Sequence, residues 1–328
     1  MLNLVRGDWI MIYWSGGSHP LSCAETIVTG HPALEVGGTH VRASRIDTTT
    51  WHLVPGSAYR VPLDSSGSSA AIVATMAECA GALRLTSAET LAVAIPGPFD
   101  YGTGVARFEG VGKFDGLAGV DLRHALLARL PHPPGRVTFV NDADAFGLGE
   151  WLAGSARGYQ RVVAITLGTG VGSAFVNSGT IVSSGPSVPP DGHVYQLIVR
   201  GRPLEDTVSR RAIIAAYERL SGSARSRDWD VRDIAAAARH GDAGAARVFG
   251  QVFRLLGETL SPWLARFKAE VLVVGGGLSA SWALIDGPLR AGLGPSATDL
   301  VVVRAADTED AIAAGAVWHS DRAASALK

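Results

Sequence analysis

Glu35-Val36-Gly37-Gly38-Thr39-His40-Val41-Arg42 is the stretch on which the fold reading turns. Ala33 to Val36 is short and apolar, two glycines follow, and Val41 to Ile46 alternates as a returning strand does. A hairpin of this kind presents backbone N–H groups and the Thr39 hydroxyl to a phosphate, and it is equally what a tight turn needs on its own. Further along, Thr166-Leu167-Gly168-Thr169-Gly170-Val171-Gly172 joins two apolar strands, Arg161–Leu167 and Val171–Val176, through a second glycine turn with no bulky side chain. A third run, Val273-Val274-Gly275-Gly276-Gly277-Leu278-Ser279, leads from a strand through glycines to a helix start, which suits a nucleotide or a plain strand-to-helix turn. Between the first two turns, Val137–Val140 reads as a strand ending in Asn141-Asp142. Polar groups at the carboxyl end of such a strand lie where α/β sheets bind ligands, although Asn and Asp also cap helices.

Around these turns the chain alternates strands with helices, which predicts an α/β architecture of two lobes. Helical periodicity is expected over Ser68–Leu83, Leu117–Leu130, Thr207–Leu220, Val231–Ala237, Ala243–Phe267 and Thr308–His319, with a further helix opening near Ser279. The division expected is an N-terminal extension over 1–32, a small lobe over 33–142 and a large lobe over 143–328, the last helix returning to the first lobe. Trp9, Tyr13 and Trp14 make the extension too apolar for a free tail, so it is expected to pack on the body.

Composition narrows the function classes. Of 328 residues, 47% are apolar, enough for two cores, and 29 basic residues nearly balance 30 acidic ones. That balance argues against a nucleic-acid footprint. Cys23 and Cys79 alone make no disulfide framework and no metal cluster, so a reducing, cytoplasmic setting is expected. No apolar run approaches the ~18 residues of a membrane span. The 40 glycines are not periodic and gather after strands, as phosphate-binding turns require.

The stretches EVGGTHVRASRID, AIPGPFD, FVNDADAFGLGEW, ITLGTGVGSAF, GRPLEDTVSRRAI and VLVVGGGLS resemble, in order, the ROK group of sugar kinases (repressor, open reading frame, kinase). The resemblance implies the actin-like ATPase, or ribonuclease H-like, fold with a cleft between lobes. It implies ATP-dependent phosphorylation of a sugar hydroxyl, with Mg²⁺, a small-molecule acceptor and a homodimer. Gly37, Gly38 and Thr39 match the first phosphate hairpin. Thr166, Gly168, Thr169, Gly170 and Gly172 match the second, and Gly275, Gly276 and Gly277 the adenosine-side turn. Asp142 matches the general base. Asn141, Gly97, His193 and Glu205 match acceptor-binding positions.

Three departures stand out. Glu35 replaces the aspartate that usually opens the first hairpin and helps hold the Mg²⁺ shell. The family's structural zinc motif, CxCGxxGCxE, is absent, so no zinc is expected, and packing must hold the loop between His193 and Glu205. Pro190 stands where a sugar-contacting glutamate is usual, and the loop Phe108–Phe114 differs from the asparagine-containing loop that contacts hexoses. An altered acceptor pocket on an intact phosphate machine suggests an amino sugar of the kanosamine type or a C7-cyclitol, with Glu109 placed to pair with an ammonium group. A repressor of the same family would need a winged helix-turn-helix that residues 1–32 do not spell, and a catalytically inactive sugar sensor is the other alternative.

Overall fold

Two sheets of like design carry the cleft. The computed structural model describes residues 30–222, 229–295 and 298–325, so the expected packing of Trp9, Tyr13 and Trp14 lies outside the described residues. In the first sheet β1 (His31–Val36) and β2 (His40–Asp47) form the hairpin, with His31 opposite Ile46 and Val36 opposite Val41. The strand thus begins two residues before the expected Ala33. Short β3 (His52–Leu53) and β4 (Tyr59–Pro62) pair with β2. After α1 (Ser69–Gly81), β5 (Thr90–Ile95) joins β1 in parallel. A small hairpin of β6 (Phe99–Asp100) and β7 (Val105–Ala106) and then α2 (Leu122–Arg129) lead to β8 (Arg136–Asn141), parallel to β5. The order is β3-β2-β1-β5-β8.

The second lobe repeats the plan. α3 (Asp142–Leu152) leads to the hairpin of β9 (Arg161–Leu167) and β10 (Val171–Asn177), with β11 (Thr180–Ile181) on its edge. There follow a small hairpin of β12 (Ile198–Val199) and β13 (Arg202–Pro203), α4 (Glu205–Val208), α5 (Arg210–Ser221), α6 (Val231–Arg239) and α7 (Ala243–Phe267). β14 (Val271–Gly275), α8 (Trp282–Leu293), β15 (Val301–Arg304) and α9 (Thr308–Ser325) complete the chain. The order is β11-β10-β9-β14-β15, again a hairpin continued by parallel strands. Val162, Val163, Ala164 and Ile165 are all fully buried, as expected of a central strand covered on both faces.

Two expected helices differ, each for a local reason. The helix predicted over Leu117–Leu130 begins only at Leu122, because Gly119 has a φ of 75° and Asp121 caps the new start by accepting from the His124 amide. The one predicted over Thr207–Leu220 breaks at Ser209, whose extended backbone and side-chain acceptance from Ala212 N start α5. The break lets Arg210 N donate to the Gly168 carbonyl at 3.0 Å, fastening α5 to the second glycine turn.

α3 and α9 lie between the sheets, α3 against β9 and β10 and α9 against β1 and β5. Alanines line this layer: Ala33, Ala92 and Ala94 on one sheet, Ala164 and Ala174 on the other, Ala145, Ala313 and Ala316 on the helices. The helices cross at backbone contact. A β-carbon on Gly149 would lie 1.8 Å from the Ala311 carbonyl oxygen, and one on Gly315 1.8 Å from that of Ala145. The C-terminal helix therefore covers the first sheet, and the carboxyl ends of β1, β8, β9 and β14 bring Glu35, Asn141, Leu167 and Gly275 to their four turns.

Candidate active site

β8 ends where α3 begins, so Asn141 and Asp142 sit at the joint of strand and helix. Asn141 is the cap: its Oδ1 accepts from Ala143 N at 3.0 Å and Asp144 N at 3.2 Å. Its amide Nδ2 donates to Tyr101 Oη at 2.9 Å, and Tyr101 donates in turn to the Ile95 carbonyl at 3.2 Å. Gly97 makes room for that phenol, since a β-carbon there would lie 3.4 Å from Tyr101 Oη. Capping thus falls to Asn141, and Asp144 is the first-turn acid.

Asp142 Oδ1 accepts from its neighbour's amide, Ala143 N, at 2.9 Å. Burial raises the Asp142 carboxyl above the ordinary carboxylate range, while the charge of Lys113 and backbone N–H groups pull it back. Burial and then the Asp142 charge push Asp144 up to about 7. Two carboxyls on one turn therefore interact: burial and the Asp142 charge keep Asp144 partly protonated near pH 7.

Glu35, at the end of β1, is only 9% exposed, and its Oε2 has no hydrogen-bond partner among the described residues. Burial, then the Glu309 carboxylate, raise it to about 8, with Arg42 opposing and Asp142 adding to the rise. An orphaned acid oxygen within reach of the Asp142 field is what a cation would satisfy, so Glu35 fits the Mg²⁺ role despite its extra methylene.

The glycines of the three turns divide by what surrounds them. A β-carbon at Gly38, Gly168 or Gly277 would meet nothing within 4 Å, so these positions face open space. Gly37 is tied to its hairpin by its amide, which donates to His40 O at 2.9 Å, and Thr39 is exposed at the tip beside the His40 ring. Gly170 is closed over by the Glu205 carboxylate, 2.4 Å from a β-carbon. Gly172 is packed against Thr166 Oγ1 and Ala143, and Gly275 against Phe146. Gly276 has a φ of 80°, a β-carbon there would strike the Leu167 carbonyl, and its amide donates to Thr308 Oγ1 at 3.0 Å. Thr169 is exposed at the tip of its turn, where no large side chain obstructs an anion.

The acceptor-side residues are less uniform. His193 packs against Tyr195 with ring centroids 5.2 Å apart and planes tilted by 36°, and its buried Nδ1 has no partner among the described residues. Burial lowers its pKa, so the ring is neutral near pH 7. Ser173 on β10 holds this segment: its Oγ donates to the Gly192 carbonyl at 2.6 Å and accepts from Val194 N at 3.0 Å. Val188 and Val194 are buried beneath it. Glu205 turns to the second glycine turn, accepting from Val171 N at 3.0 Å. Glu109 is exposed on its loop.

Sequence reasoning missed Tyr101, Ser173, Lys113 and the first turn of α9. Arg42 Nη2 donates to Asp310 Oδ1 at 2.5 Å, His40 and Arg42 face Glu309 at 3.4 and 3.7 Å, and Arg60 pairs with Glu309. The His40 hydrogen bond first, and then the charges of Arg60 and Arg42, hold the Glu309 carboxyl at about 2.

With the geometry in place, comparison with known proteins is decisive for the family. Residues 32–318 match the sequence model of the ROK family. The chain belongs to the ROK family. It is 30% identical over 216 residues to a glucokinase of Thermotoga maritima and 30% identical over 174 residues to a polyphosphate glucokinase of Mycobacterium tuberculosis. These alignments take in 60% and 53% of the chain, and span 66% and 60% of the relatives' length. Among solved structures, a ROK family glucokinase from Streptomyces griseus, in complex with glucose and AMPPNP, superposes with a TM-score of 0.72 at 22% identity, over 87% of this chain and 97% of that one. The ROK hexokinase from Thermus thermophilus gives 0.68 at 24% identity, over 88% and 96%. The fold is the two-lobed, actin-like ATPase fold of ROK kinases. No described helix is long and apolar enough to cross a membrane.

Proposed function

We propose that this ROK chain transfers the γ-phosphoryl group of ATP to a primary hydroxyl of a sugar or sugar-like alcohol, with Asp142 as general base. The observation that carries the reading is Asp142 at the end of β8, desolvated, on the first turn of a helix that packs against the second glycine turn through Ala143 and Gly172. Phosphoryl transfer needs an oxygen held in line and relieved of its proton, and little further covalent chemistry from the protein. Asp142 accepts that proton. Asn141, with one amide hydrogen on Tyr101, keeps a second for an acceptor hydroxyl. His193 and Glu205 border the acceptor from the second lobe. The Gly38, Gly168 and Gly277 positions face open space, with no side chain to block the phosphates or the adenosine side, although the Gly168 amide itself donates to the Gly170 carbonyl at 3.0 Å. Glu35 would hold Mg²⁺ with Asp142 close by, and that ion, when bound, neutralises charge on the transferred phosphoryl group. In this reading the lobes divide near Asp142, closure excludes water, and the setting is a cytoplasmic homodimer acting on a small molecule.

A hexose is the first acceptor to test. An amino sugar or C7-cyclitol is the second, favoured by Pro190 and by the altered loop Phe108–Phe114 with its exposed Glu109. ADP release over a panel of hexoses, amino sugars and cyclitols discriminates these, with ATP and polyphosphate compared as donors. Asp142→Asn is expected to lower kcat by about 10²–10⁴-fold while ATP still binds. Near-wild-type turnover would remove Asp142 from the mechanism. ATP binding with no turnover on any acceptor would favour the sensor.

A further inference from the structure

The first turn of α9 meets the first hairpin at a group of side chains of which the transfer reaction uses only Glu35. Ligand atoms of Glu35, His40 and Glu309 lie within 4.8 Å of one another. Glu35 Oε2 is buried without a hydrogen-bond partner among the described residues and Glu35 is 9% exposed, while the buried His40 Nε2 has only the Glu309 carboxylate, 3.4 Å away. We propose that Glu35, His40 and Glu309 form a site for a divalent transition-metal ion of the kind that accepts imidazole, filled in the absence of nucleotide.

Three facts carry this. First, the donors are the right kind: two carboxylates and one imidazole match the mixed nitrogen and oxygen sets that bind zinc- and cobalt-like ions, whereas Mg²⁺ favours oxygen and water. Second, the spacing is nearly right. Tetrahedral bonds of about 2.0–2.2 Å put ligand atoms roughly 3.3–3.6 Å apart around one ion. Side-chain adjustments of up to about 1.5 Å close the set. Third, the orphaned Glu35 oxygen gains a partner at once, which removes an unsatisfied buried group, and the long His40–Glu309 contact gives way to two bonds to one ion.

The surrounding charges set the competition. Arg60 pairs with Glu309 but its side chain is 50% exposed, so it can swing to water when Glu309 turns inward. Arg42, held by Asp310 and 3.7 Å from Glu309, opposes a cation, and the Asp142 charge partly offsets it. The site is separate in chemistry from the family's cysteine-based zinc, for which this chain lacks the ligands. It shares Glu35 with the proposed Mg²⁺ position but does not depend on phosphoryl transfer.

Nucleotide-free full-length protein should be titrated with Co²⁺ in a Mg²⁺ excess, by calorimetry and by proton NMR of the histidine rings. One ion per chain is expected, with the His40 ring signals shifted or broadened at saturation. Loss of an outer-shell partner alone weakens metal sites by about tenfold, so His40→Ala and Glu309→Gln should each weaken binding at least that much. Arg60→Ala should retain or tighten binding, because it removes a competitor, with circular dichroism confirming the fold of each variant. Unmoved His40 signals at saturation, or equal affinity in wild type, His40→Ala and Glu309→Gln, would overturn the proposal. So would weakened binding in Arg60→Ala, since the cluster would then be an ion-pair clamp.

Discussion

Asp144→Asn isolates the proton that the structure places beside the base. The Asp144 carboxyl moves from 3.8 to about 7, first through burial and then through Asp142. A carboxyl raised on folding is protonated in the native state and ionised in the unfolded state between those values. The unfolded state then binds fewer protons, so stability falls as pH rises from about 4 to 7. Each pH unit carries ~1.4 kcal/mol, and the stretch from pH 5 to 7 alone carries ~2.7 kcal/mol. The α3 N-terminus favours the charged form by ~0.3–2 kcal/mol and lowers the net effect. Between pH 5 and pH 8, wild type should therefore lose about 2 kcal/mol relative to Asp144→Asn. For a protein of this size that is on the order of 4 °C in Tm. Thermal melts of both proteins at the two pH values test it. Parallel pH dependence in the two would refute the assignment of a buried, protonated Asp144.

Other expectations follow from the same geometry. Gly149→Ala forces α3 and α9 apart and should cost roughly 1–3 kcal/mol or more, read as a lowered Tm. Gly276→Ala meets both a positive φ and the Leu167 carbonyl, so it should lower Tm and weaken ATP binding in calorimetry, whereas Gly277→Ala should leave Tm near wild type. Ser173→Ala removes both bonds that hold the His193 segment, at roughly 0.5–1.5 kcal/mol each, and should raise KM for the acceptor more than it lowers the affinity for ATP.

Much of this was readable in the chain itself, and the unreadable parts share a cause. Arg161–Leu167 appears as a strand because its apolar run is uninterrupted, and Ala243–Phe267 as a helix because Asp242 caps a long periodic run. The turns showed as glycines after strands. Their differing reasons did not: Gly168 and Gly170 look alike in sequence, yet one faces open space and the other the Glu205 carboxylate. Ser209 breaks a periodic helix because the Gly168 carbonyl takes the next amide, a partner some forty residues away in the chain. Tyr101 gains its role from Asn141 and Ser173 from Gly192 and Val194, so no local pattern announces them. Glu309 reaches His40 from the far end of the chain. Local pattern gives elements and turns; the partners of single polar groups come only with tertiary contact.

The return of α9 to the first sheet has a consequence for synthesis. β8 ends at Asn141 and α9 starts at Thr308, so the chain must be extended through the whole second lobe before the helix that covers β1 and β5 exists. At about 5–20 residues per second, that interval is on the order of ten to thirty seconds. Throughout it Ala33, Ala92 and Ala94 lack their cover, and the nascent first lobe offers an apolar sheet face to chaperones, or to other nascent chains, until the last described helix emerges.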